Sequence, residues 1–287
     1  MTELPFRPSI FAFAAAVYVL QGAGGGAAQT LNFGAGDSDQ PIEIHADDGI
    51  EWQQENLLFL ARGNARAVRG DVTVFGDELR AYYREKSEGG SEIHRLDALG
   101  HVRIVSPTQE GIGEQAIYDV DNAVLILSGA KPRFRSGSDE IIAERQIEYW
   151  EQKQMAVARG NATATREDRT LRAETLAAYF RKDADGKNSV FRVDAFDRVR
   201  IRTTTETATG DRGVYNVESG IATLTGSVKV ERENNVLTGC RTEVNLMTNV
   251  SKMFACPTDR VRGVLSPSEA RKTQPTKSQK QSKPQKS

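Results

Sequence analysis

The sequence predicts an all-β protein of antiparallel strands, and three observations carry the prediction. Apolar and polar residues alternate at period two through most of the chain, as strands with one buried face do. A 97-residue stretch is echoed without a gap: Ala61-Arg62-Gly63-Asn64-Ala65 returns as Ala158-Arg159-Gly160-Asn161-Ala162, an offset of 97 positions (158 − 61). Beyond the N-terminal apolar run, no segment longer than a turn carries a convincing helical period.

The same offset takes Ala81-Tyr82 onto Ala178-Tyr179, Asp97-Ala98 onto Asp194-Ala195 and Val102-Arg103-Ile104 onto Val199-Arg200-Ile201. A fixed period means stacked units sharing one continuous core. Within each period the pattern divides again. Gly63, Gly100, Gly129, Gly160, Asp197 and Gly226 form one series of marks. Gly76-Asp77, Gly113-Glu114, Ala143-Glu144, Ala173-Glu174, Gly210-Asp211 and Gly239-Cys240 form the second.

Positions two and four residues from each first mark fall on one strand face. They supply the inner face: Phe59 and Ala61, Leu96, Val102 and Ile104, then Leu125 and Leu127, and in the second copy Val193, Val199 and Ile201. After the second marks the same parity adds Leu79, Tyr118, Tyr149 and Tyr215. The opposite face reads as free to vary, as at Arg95/Asp97 and Arg192/Asp194. One unit breaks phase. Lys131 and Arg133 take inner offsets while Pro132 and Phe134 come one residue late, which predicts a β-bulge between Gly129 and Pro132. Asp121-Asn122, Glu218-Ser219-Gly220 and Thr248-Asn249 are expected hairpin turns. Many inner positions are alanine, so the two faces of the interior either leave an apolar groove or pack more closely with none.

The ends differ from this middle. Residues 1–28 read as an export signal: Arg7, then an uncharged apolar run from Ile10 to Leu20, then a small-residue cleavage site at Gly26-Ala27-Ala28. The run is too short to span a bilayer, and an uncleaved anchor stands as the alternative. Residues 29–40 form a Gly-containing flexible linker, 41–265 the repeated β region, and 266–287 a basic tail with lysines at 272, 277, 280, 283 and 286 that cannot bury a core. An oxidising space permits a disulfide between Cys240 and Cys256; two free thiols are the alternative.

Little in the chain points to chemistry. A formal net charge of −1 gives no general attraction to nucleic acid. His45, His94 and His101 become Ile142, Phe191 and Arg198 in the repeat, so histidine is no fixed requirement of the unit. The acidic marks are single carboxylates, which suit bends better than paired acid–base work. No phosphate loop, nucleophile elbow or zinc motif is present. The expectation is a non-enzyme with no cofactor and no metal.

The unit Phe59-Leu60-Ala61-Arg62-Gly63-Asn64-Ala65, followed by Gly76-Asp77-Glu78-Leu79-Arg80-Ala81-Tyr82, resembles the OstA-like repeat of the lipopolysaccharide-transport proteins. Leu125-Ile126-Leu127-Ser128-Gly129-Ala130 is a second copy. The similarity runs from about Pro41 to Leu265 and is nearest to the LptA-like periplasmic members. It implies an elongated, twisted, half-open antiparallel β-jellyroll with exposed edge strands. It further implies a periplasmic bridge that shields lipid A acyl chains of lipopolysaccharide between inner and outer membranes. LptC-like and LptD-like proteins, or further copies joined by edge-strand addition, would be its partners. The fourteen inner residues named above are then lipid-groove candidates. The competing reading is an exported repetitive β-structural protein, or a polysaccharide-acting β-helix.

Overall fold

A computed structural model describes residues 42–87, 89–182, 188–245, 247–248 and 250–266. The expected signal and linker lie outside the described residues, as does all of the basic tail except Ser266.

Among the described residues the chain forms eighteen strands and no helix. The first half holds β1 (Glu43–His45), β2 (Gly49–Gln53), β3 (Leu58–Arg69), β4 (Val72–Glu85), β5 (Ser91–Val105), β6 (Gln109–Asp119), β7 (Val124–Ser128) and β8 (Arg133–Ser136). The second half holds β9 (Asp139–Ile142), β10 (Gln146–Trp150), β11 (Met155–Arg166), β12 (Arg169–Lys182), β13 (Asn188–Arg202), β14 (Glu206–Asn216), β15 (Ile221–Arg232), β16 (Asn235–Asn245), β17 (Val250–Phe254) and β18 (Arg262–Val264). The strand pairings are antiparallel throughout. A β-helix stacks parallel rungs, so that competing architecture is not the one adopted.

Every other long strand is bent in its middle, and the long strands serve two ribbons. The bends are register shifts: Arg62/Ala65 in β3, Leu99/Val102 in β5, Arg159/Ala162 in β11, Phe196/Val199 in β13 and Thr225/Val228 in β15. One extra residue on the bent strand kinks it and sharpens its twist. The backbone there turns left-handed at paired residues, Gly63 with Asn64 and Gly100 with His101. At the fifth mark Asp197 takes the glycine's place at φ 62°, which short polar side chains tolerate best. The acidic marks meet these bends: a Cβ on Gly100 would lie 2.1 Å from Asp77 Oδ2, and one on Gly226 would lie 2.2 Å from Asp211 Oδ2.

The out-of-phase unit differs from its expected bulge. The strand breaks outright between β7 and β8, with Gly129 and Lys131 both at positive φ. Pro132 has no N–H for a ladder; it is fully buried, and its carbonyl accepts from Ala143 N at 3.1 Å. Phe134 thereby turns inward against the core.

The two ribbons close on one another around two apolar clusters. One is built on Ala61, Leu79, Val102, Ile104 and Leu127, the other on Ala158, Leu176, Val199, Val228 and Val244. The outer face corrects a sequence expectation. Asp97 and Asp194 are buried rather than freely varying. Arg95 grips Asp97 through Nε at 2.7 Å and Nη2 at 2.9 Å, while its guanidinium lies over the Tyr82 ring. Arg192 repeats this on Asp194 and Tyr179. Long side chains laid across the sheet cover the carboxylate between them.

Candidate functional site: the interior and two open edges

The strand pleat places the inner-face residues, and the bends bring both halves of each strand to bear on the same interior. Ala61, Leu79, Val102, Ile104, Tyr118, Leu125 and Leu127 are buried together, with Leu96 and Tyr149 packed against them. Val193, Val199 and Tyr215 are buried in the second cluster, with Ile201 against it. Phe59 belongs to neither. It stacks on Trp52 at 5.3 Å and meets Tyr83 at 5.2 Å, while Trp52 Nε1 donates to Tyr83 Oη at 2.9 Å. Burial pushes the Tyr118 phenol up, helped by the nearby Glu151 carboxylate that its hydroxyl approaches at 3.3 Å. The side chains of Val102, Ile104 and Val199 are fully enclosed by protein, so the middle of the interior is packed.

A seam joins the two clusters. Strand β7 pairs with β10, setting Leu125 opposite Tyr149 and Leu127 opposite Ile147, while β8 pairs with β9. Strands β9 and β10 are the repeat counterparts of β1 and β2. In the first copy, β1 and β2 pair only with β3, and their outer edges carry no described strand. Ile50 and Trp52, the counterparts of Ile147 and Tyr149, are therefore 54% and 60% exposed. At the other end β17 and β18 pair only with β16, and Val250, Val264 and Leu265 are exposed. An unpaired edge is a template for another strand. Sequence reading missed Ile50 and Trp52, although the 97-residue offset onto the strand text of Ile147 and Tyr149 contained the signal.

Cys240 and Cys256 are bonded, with Cα atoms 4.9 Å apart. The bond ties β16 to the segment between β17 and β18. Among the described residues no group of His, Cys, Asp and Glu is arranged to hold a metal.

A family model described as LptA/(LptD N-terminal domain) LPS transport protein matches residues 43–154 and again 140–250. The chain belongs to this family. The two matches overlap over residues 140–154, so β10 and most of β9, one side of the seam, count in both units. An uncharacterized protein of Rhizobium meliloti (strain 1021) is 26% identical over 109 residues, covering 37% of this chain and 58% of that protein, less than two thirds of its length. A solved structure, LptH, the LptA-homologous periplasmic component of the lipopolysaccharide transport device of Pseudomonas aeruginosa, is 12% identical. It covers 80% of this chain and 99% of that one, at a TM-score of 0.20. The two family matches lie in tandem on one continuous run of strands.

Proposed function

We propose that this member of the LPS transport family acts in the periplasm as a non-enzymatic bridge, and that its inner face shields the lipid A acyl chains of lipopolysaccharide. The observation that carries the reading is the seam. Two family units are already joined edge to edge within one chain, and their apolar inner faces run on from one unit to the next. A lipid moving along such a face keeps its chains from water, at about 0.8 kcal/mol for each buried methylene. Because the middle is packed around Val102, Ile104 and Val199, carriage of a chain on this face requires the ribbons to separate.

The free edges of β2 and β17 extend the same logic beyond the chain. An LptC-like protein at one end, an LptD-like protein at the other, or further copies of this chain, would add strands as β7 adds to β10.

Photo-crosslinkers at Leu127, Tyr118 and Val199 test the reading against outer-face crosslinkers at Arg103 and Arg200. The expected result is lipopolysaccharide trapped from the inner set. Trapping from the outer set alone would remove the carrier function.

A further inference from the structure

The interior is not packed along its whole length. At the C-terminal end a cavity of about 120 Å³ opens between the ribbons, well beyond the 10–15 Å³ or so that one water needs. Val230, Leu237 and Met253 form its apolar walls. Glu206 and Ser251 also line it. Glu206 is only 8% exposed, yet its carboxyl makes no hydrogen bond among the described residues. Its backbone alone is bonded, to Thr203. The Ser251 hydroxyl is fully buried and has no hydrogen-bond partner. Thr242, the other hydroxyl on the wall, already donates to Lys252 O at 3.1 Å. A buried hydroxyl without a partner is costly to maintain, and the Glu206 carboxyl borders the same space with its acceptor capacity unused.

The chemistry of the lining selects the missing partner. Arg232 stands opposite Glu206 in the ladder and also lines the cavity, so a cation is disfavoured there. A carboxylate or phosphate would face Glu206. Burial pushes the Glu206 carboxyl upward, and Arg232 offsets this only in part, so the carboxyl exchanges hydrogen bonds with a neutral group most readily. A neutral hydroxyl can donate to one of these side chains and accept from the other. In the first copy Glu206 is matched by Gln109, and Phe134 packs into the core opposite Gly111, two residues further along that strand.

We propose that the cavity is a subsite for a neutral hydroxyl carried on an aliphatic chain, held by Glu206 and Ser251 while the chain lies against Val230, Leu237 and Met253. This rests on the lipid-carrier reading and adds a chemical preference to it: a hydroxylated acyl chain over a plain one.

The test uses the full chain with two neutral probes, a hydroxy fatty-acid methyl ester and the same ester without its hydroxyl. Affinity is measured by calorimetry, and occupancy is followed at the Met253 methyl group by NMR. The expected preference for the hydroxy ester is about tenfold, with the Met253 signal shifting on binding. Glu206→Leu should bind both esters equally, and Glu206→Gln, which keeps the hydrogen-bonding capacity and guards against a folding defect, should retain the preference. Equal binding of the two esters by the unaltered protein, or a preference that survives in Glu206→Leu, overturns the proposal. Lipid trapping from Leu127 or Val199 without ester discrimination would sink this inference alone; discrimination without trapping would sink the bridge function instead.

Discussion

Glu148 and Glu51 occupy equivalent places 97 residues apart, each paired with an arginine of the next strand, and only Glu148 is out of water. The side chain of Glu51 is 51% exposed on the edge strand β2, against 5% for Glu148 on β10. The difference is the neighbour. β10 has β7 beside it, and Glu148 accepts from Arg159 Nε at 2.6 Å, Gln146 Nε2 at 2.7 Å and Trp150 Nε1 at 2.8 Å. Glu148→Ala strands those donors and should cost about 2 kcal/mol of unfolding free energy. Glu51→Ala should cost less than about 1 kcal/mol, as an exposed pair does. Urea unfolding of the two variants checks the contrast; equal losses would contradict it.

The same carboxylate gives a pH signature. Burial raises the Glu148 carboxyl, but the hydrogen bonds from Arg159, Gln146 and Trp150 outweigh it and hold it below its ordinary 4.5. A carboxylate depressed in the fold stabilises above its unfolded value, and that stability is lost as pH falls through the folded one. The gap in stability between the unaltered protein and Glu148→Gln should therefore be full at neutral pH and shrink below about pH 4.5. A gap that widens on acidification would reverse the assignment.

Ile50 lies where Ile147 lies in the second copy, and Ile147 pairs with Leu127 across the seam. If the N-terminal edge is completed by another strand, a charge there obstructs it at little cost to the lone chain, because edge lysines are a common guard against strand addition. Ile50→Lys should weaken self-association, or association with an LptC-like partner, by at least about tenfold. Its thermal midpoint should move by only a few degrees. Sedimentation velocity at several concentrations decides; unaltered association would exclude β2 from the contact.

The parity of the strands was legible because the pleat writes burial into every second residue. Val102, Val199 and Leu127 all lie inside for that reason. Burial of Asp97 and Asp194 was not legible from alternation. It arises across strands, where Arg95 lies over Tyr82 and Arg192 over Tyr179, although the recurrence of Arg-x-Asp at the 97-residue offset was the available sign. Nor did local pattern separate an edge from a seam. Trp52 and Tyr149 lie in similar strand text, and only the presence of β7 distinguishes their surroundings. The choice between groove and close packing turned on alanines that suit either, and the structure packs the middle while leaving space near Met253.

At the bends, sterics and backbone conformation can be separated by two glycines. Gly100 has φ 70° and no room for a Cβ beside Asp77, whereas Gly89 has φ 90° with nothing within 4 Å. Gly89→Ala carries only the left-handed strain, about 1–2 kcal/mol. Gly100→Ala carries that strain and also displaces Asp77 from its contact with His101 Nδ1 at 2.8 Å, so its loss should be larger by about 1 kcal/mol or more. Thermal unfolding of both variants reads the difference.

The last long strand, β16, replaces the recurring contact of an acidic mark and a bend by a covalent bond. Asp77 meets Gly100 and Asp211 meets Gly226, but at the final mark Cys240 is joined to Cys256, between β17 and β18. The bond closes a loop over a sequence separation of 16, for which chain-entropy reasoning gives about 3 kcal/mol. In a repeat array stability is set by neighbours rather than globally. Cys240→Ser with Cys256→Ser should therefore speed amide exchange in β17, β18 and the adjoining half of β16, and leave β3 to β5 as they were. β18 meets only Val236, Leu237 and Thr238 of β16, so it should be released first, uncovering that edge. Uniform acceleration along the whole chain would mean that the bond supports the fold globally and is not a local clasp on its last strands.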